Sequence, residues 1–166
     1  MVIDKSRFKD AVRAYWLWKE LNSIIKNSHN RGINFPETIS ETMFCYALGF
    51  ELNRGTGGDA RDPKTDSIIE VKASSNWDRD TSSFSPSEEF DNLYFVRLDQ
   101  RNDIISFYDL NLNSNQLKGI KVSQKQTVED QQKQGRRPRF GVIKKVIEPS
   151  NLKPVCSIDI RKEKII

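Results

Sequence analysis

The chain has 166 residues, 36% of them hydrophobic and 30% charged, with a formal net charge of +4. That is enough length for one sizeable core and too much apolar content for a disordered tail, so a single domain over residues 1–166 is expected. No apolar run is long enough to span a bilayer, and the opening Met1-Val2-Ile3-Asp4-Lys5-Ser6 has no apolar signal region, so a cytoplasmic protein with no membrane partner is expected.

Asp4 or Ser6 is placed to cap a first helix running to about Lys26. Phe8, Ala11, Val12, Tyr15, Trp16, Leu21 and Ile24 recur at helical spacing and are expected in the core. The run Trp16-Leu17-Trp18 makes more than one face apolar, which points either to burial or to a dimer contact. After a turn through Asn30–Asn34, Pro36 suits the first position of a second helix, cored by Ile39, Met43, Phe44, Ala47 and Leu48 and ended by Gly49. The period then changes. Phe50–Asn53, Asp59-Ala60 and Ser67–Ala73 read as extended segments, separated by a glycine turn and by the hairpin-forming Asp62–Asp66.

A polar connection from Ser74 to about Ser87 follows. Leu93–Leu98 and Ile104–Tyr108 form two strands joined through Asn102-Asp103. A helical turn over Asn115–Lys118 and a short polar helix over Thr127–Gln134 come next, the latter broken at Gly135. Phe140–Ile147 and Val155–Ile160 are expected as late strands. The fold class is α/β, a central mixed or largely antiparallel sheet flanked by helices. Cys45 and Cys156 both lie in apolar stretches and are expected as buried, reduced thiols.

The chemistry concentrates in Ile68-Ile69-Glu70-Val71-Lys72-Ala73. In a strand, Glu70 and Lys72 share one face while Ile69, Val71 and Ala73 share the other. An antiparallel neighbour carrying Asp59 brings a second carboxylate near Glu70, at the edge of the sheet. Two carboxylates can hold a hard divalent cation, and a lysine beside it can orient a water or stabilise developing negative charge. The chain has one histidine, His29, and no cysteine cluster, so the metal is Mg²⁺ or Mn²⁺ rather than Zn²⁺, with Mg²⁺ the expected cofactor. Glu37 and Glu41 lie four apart on the second helix and share a face, with Glu41 mid-helix and Glu37 at the favourable N-terminus.

Gly58-Asp59 followed by Glu70-Val71-Lys72 resembles the PD-(D/E)XK nuclease superfamily, with Gly58 standing where the motif name has proline. Together with Phe35-Pro36-Glu37, the serine-rich connection and Gly135-Arg136-Arg137-Pro138-Arg139, the likeness extends to small type II restriction endonucleases of the group that cuts the palindrome GCNGC. It spans about Gly32 to Pro149. The resemblance implies a restriction-endonuclease-like fold, Asp59, Glu70, Lys72 and Glu41 as catalytic residues, and Asp59, Glu70 and Glu41 as metal ligands. It also implies Mg²⁺-dependent cleavage of double-stranded DNA leaving 5′-phosphates, and a homodimer on a two-fold symmetric target. Two other readings use the same residues: a structure-specific repair or junction-resolving nuclease, and a DNA-binding module without catalysis.

Recognition has its own signals. Residues 117–166 hold 13 Lys and Arg against 5 Asp and Glu, whereas residues 1–116 hold 14 against 18. The basic part fits a polyanion. Arg136, Arg137 and Arg139 can fork onto guanine or clamp phosphates, and Gln131, Gln132 and Gln134 can read adenine or bond phosphates. Ser74, Ser75, Asn76 and Arg79 follow the catalytic strand directly and are candidates for the DNA backbone near the cut. Trp77 and Phe84 are read as loop anchors.

Overall fold

Asp4 caps the first helix, its carboxylate accepting the Arg7 N–H at 2.8 Å, and α1 runs over Lys5–Ser28. Pro36 is the N-cap of α2 (Glu37–Leu48), one residue earlier than its expected helical position. Gly49 ends α2 at φ 71°, a left-handed conformation that favours glycine. The computed structural model describes residues 1–166 throughout. The remaining elements are β1 (Glu51–Leu52), β2 (Ala60–Arg61), β3 (Ile68–Ser74), β4 (Ser82–Ser83), β5 (Asn92–Asp99), β6 (Ile104–Asp109), α3 (Ser114–Lys118), α4 (Val128–Lys133), β7 (Arg139–Phe140), a π-helical turn (Ile143–Ile147), β8 (Cys156–Asp159) and β9 (Lys164–Ile165).

Seven strands form one mixed sheet in the order β1-β2-β3-β5-β6-β8-β9. Only β3 and β5 run parallel; every other neighbouring pair is antiparallel. The expected α/β class with a mixed, largely antiparallel sheet is borne out. Strand β5 explains the layering. Tyr94, Val96 and Leu98 point into a core shared with α1 and α2, and Leu93 and Phe95 point into a second core. That second core is roofed by Phe84, Leu117, Val128, Phe140 and the π-helical turn. A strand covered on both faces reads as a continuous apolar run, which is what Leu93–Val96 is before Arg97 interrupts it.

Several expectations are corrected. Residues 140–147 are not a strand: after the short β7, Asp80 accepts the Val142 and Ile143 N–H groups, each at 2.9 Å, and the chain turns into the π-helical segment. The Ser74–Ser87 connection contains β4, which pairs with β7 in a separate two-stranded sheet. Trp16, Leu21 and Ile24 are exposed; the buried side of α1 is Phe8, Ala11, Val12, Tyr15, Trp18 and Asn22. Both cysteines are free, but only Cys45 is buried, its thiol pushed up to about 12 by burial; Cys156 is half-buried. Strand β9 carried no signal in the sequence.

Candidate active site

Strand β3 presents the site. Ile69 and Val71 enter the core beneath α1 and α2, while Glu70 and Lys72 face the other way, opposite Leu93 and Phe95 of β5. The strand lies inside the sheet rather than at its edge, which corrects the expectation. The site opens because the β2–β3 ladder is short: it pairs Ala60 with Ile69 and Arg61 with Ile68 and goes no further. Asp59 N–H donates to the Ile69 carbonyl, and the Asp59 carboxylate accepts the Val71 N–H at 2.8 Å. Asp59 thus ends the ladder, with its side chain held against β3.

Gly58 sets the direction of that turn. Its φ is 77°, and an added Cβ would lie 2.9 Å from the Ile69 carbonyl oxygen and 2.5 Å from the Ile68 side chain. Proline is fixed near φ −65°, so the departure from the motif name has a backbone cause.

Asp59 and Glu70 line one cleft of about 310 Å³ together with Gly57, Gly58, Ser85 and Glu88. The Lys72 ammonium pairs with the Glu70 carboxylate, stands 3.4 Å from Glu88 and sits 5.3 Å from the centre of the Phe84 ring. Lys72 and Glu41 line an adjoining cleft of about 350 Å³ with Glu37, Ser75 and Ser83. Asp59, Glu70 and Lys72 are therefore brought together. Glu41 opens on the neighbouring cleft, while still feeling the charge of Asp59.

Glu88 was missed from sequence. Its other oxygen accepts the Ser85 N–H at 3.0 Å. Ser85-Pro86-Ser87-Glu88 has the spacing in which a glutamate reaches back to the amide of a Ser three residues earlier, a legible signal. Ser83 was also missed; its hydroxyl is buried without a hydrogen-bond partner.

The electrostatics follow from crowding. Glu70 is only 4% exposed. Burial raises its carboxyl to about 8; Lys72 opposes this, and Asp59 and Glu88 add to it. Burial, then the charges of Asp59 and Glu37, push Glu41 up to about 7. Asp59 is raised by burial against the opposing pull of the Val71 amide and Lys72. Burial pulls Lys72 down, but Glu70, Glu88 and Asp59 outweigh it and keep the amine an ammonium. Acid groups outnumber the single cation, and the donors are all hard oxygens. No three acidic, His or Cys side chains converge into a closed metal cage.

The predicted recognition residues are dispersed. Ser74 bonds within its own loop, to the carbonyls of Asn76 and Arg79. The Ser75 carbonyl accepts from Gln100, and the Asn76 side chain accepts the Asp78 N–H. Arg79 is exposed. Trp77 is anchored, its carbonyl accepting from Arg97, whose guanidinium lies 4.0 Å from the Trp77 ring centre; Phe84 is fully buried. Gln131 is buried and unavailable as a reader, and Gln132 donates to the Ser85 carbonyl at 3.2 Å. Arg136 and Arg137 are exposed beyond Gly135, and Arg139, also exposed, sits in β7 opposite Ser83, which lines the Lys72 cleft.

No solved structure matches the chain. Residues 3–149 match the family model described as Bsp6I restriction endonuclease. The chain is 68% identical over 164 residues to the type II restriction enzyme Bsp6I of Bacillus sp. (strain RFL6), a match covering 99% of this chain and 94% of that protein. With that match over nearly its whole length, the chain belongs to the Bsp6I restriction endonuclease family.

Proposed function

We propose that the chain is a type II restriction endonuclease that hydrolyses both strands of DNA at a short palindrome of the GCNGC kind. In this reading it is a single cytoplasmic endonuclease domain over 1–166, acting as a homodimer with Mg²⁺ and leaving 5′-phosphates. The observation that carries the reading is the Glu70–Lys72 pair beside Asp59, in a chain of this family. Asp59 and Glu70 would hold the ion, with Glu41 facing it from the adjoining cleft. When bound, the ion supplies a water of lowered pKa and neutralises charge on the phosphate. The protein's own part is orientation. Val71 N–H fixes Asp59, Glu88 and Glu70 fix Lys72, and the Lys72 ammonium meets the negative charge growing on the scissile phosphate. The exposed Arg139 is suited to a flanking phosphate, with Arg136, Arg137 and Arg79 reaching further along the duplex. Arg136, Arg137 and Arg139 come from the basic part of the chain, 117–166.

Digestion of a long DNA of known sequence tests the reading. Discrete fragments with Mg²⁺, none with EDTA, and sequenced ends falling at one palindrome are expected. Ca²⁺, which accepts looser ligand geometry, should allow binding without cutting. Lys72→Ala should fold, bind and slow cleavage by about 10²–10³-fold. A smear from any duplex, or a Lys72→Ala protein as fast as wild type, counts against it.

A further inference from the structure

Helix α1 buries Phe8, Ala11, Val12, Tyr15 and Trp18 against the core, yet its opposite side is not polar. Leu17, Ile24 and Leu21 are 60%, 56% and 50% exposed, and Trp16 is 38% exposed. Single exposed apolar residues need no explanation, but four along one helix do. At 100° per residue, Arg13, Leu17, Glu20, Leu21 and Ile24 form one stripe. Asp10, Arg13, Leu17, Glu20 and Ile24 repeat with the alternating three- and four-residue steps of a seam between two helices. Trp16 stands as a ridge between two hollows. One, of about 290 Å³, is lined by Lys9, Arg13, Leu17, Glu20 and Glu163. The other, of about 470 Å³, is lined by Lys19, Glu20, Ser23 and Ile24.

We propose that this face of α1 seats the same face of a second copy of the chain, antiparallel, about a two-fold axis passing between Trp16 and Leu17. The proposal rests on the endonuclease reading, because cutting both strands of a palindrome calls for a two-fold pair of sites. Charge fixes the direction. Equal steps from such an axis place Arg13 against the partner's Glu20 and Glu20 against the partner's Arg13. Leu17 then packs on the partner's Trp16 ridge, and Ile24 lies along the aliphatic stem of the partner's Lys9. A parallel arrangement sets Arg13 on the partner's Arg13 and Glu20 on the partner's Glu20, which repel. The stripe is thus self-complementary in the antiparallel sense alone, as an isologous interface requires.

Sedimentation of the full chain, with melting temperatures as a folding control, tests the assignment. Wild type should be a dimer, and Leu17→Glu with Ile24→Glu a folded monomer. Arg13→Glu and Glu20→Arg should each weaken association by about tenfold or more, and the two combined should restore it to near the wild-type value. Loss of folding cannot mimic that rescue. If Leu17→Glu with Ile24→Glu stays as dimeric as wild type, or the charge swap restores nothing, α1 is not the interface and the endonuclease reading stands untouched. If wild type is a monomer with and without its DNA, the interface is overturned, and digestion separately decides whether that monomer still cuts both strands.

Discussion

Glu70 and Glu41 turn crowding into a pH dependence. Both carboxyls start from an ordinary value of 4.5 and rise in the folded chain to about 8 and about 7. The folded state therefore binds more protons than the unfolded state across that window. Their stabilising contribution is complete below 4.5 and is lost as pH rises through 7 and 8. Metal-free protein should melt at a lower temperature near pH 8.5 than near pH 6. Ca²⁺, which pairs with the charged forms, should raise the melting temperature more at the higher pH. Thermal unfolding with and without Ca²⁺ at both pH values checks this; a melting temperature that rises with pH in EDTA would remove the crowded-carboxylate account.

The elements are held in register by a second polar cluster, at Asp103 in the β5–β6 turn. Its carboxylate is 1% exposed and is paired with Lys19 and Arg161, and Tyr15 donates its hydroxyl to it at 2.5 Å. One side chain thus ties α1, the central hairpin and the turn after β8. Removing the Asp103 carboxylate leaves the buried Tyr15 hydroxyl without its acceptor, while Lys19 and Arg161 can turn to water. Asp103 also has φ 56°, a conformation that Asp and Asn tolerate better than Ala. Asp103→Ala should cost roughly 1–3 kcal/mol, read as a lower urea midpoint at unchanged slope. A loss under about 1 kcal/mol would reduce the cluster to a surface ion pair.

Across the whole molecule, Arg139 lies in β7 beside the second core, on the side of the sheet that carries Glu70 and Lys72, with Arg136 and Arg137 just before it in the chain. Each phosphate contact by a cation adds about 0.9 to the slope of log affinity against log salt. If Arg136, Arg137 and Arg139 all meet phosphates, replacing the three with alanine should flatten that slope by about 3 and weaken binding similarly for all sequences. Titrating DNA binding in Ca²⁺ at several salt concentrations measures it. A selective loss at one base pair instead would assign an arginine to base reading.

Patterns confined to one element were readable from the chain alone. The Asp4 cap, the Gly49 stop, the apolar run of β5 and the shared face of Glu70 and Lys72 all follow from local periodicity and backbone preference. Glu88 left a trace too, in the Ser-to-Glu spacing that folds it back toward Lys72. What lay beyond reach depends on which surface meets which. Trp16 and Trp18 look alike in a helical repeat, and packing against Phe35 and the core decides that only Trp18 is buried. Phe140–Ile147 is apolar enough for a strand, but Asp80 captures the Val142 and Ile143 amides from 62 and 63 residues away, where the chain turns into a helix. The site's depth inside the sheet arises the same way, because the parallel pairing of β3 with β5 is a long-range contact that no local period encodes.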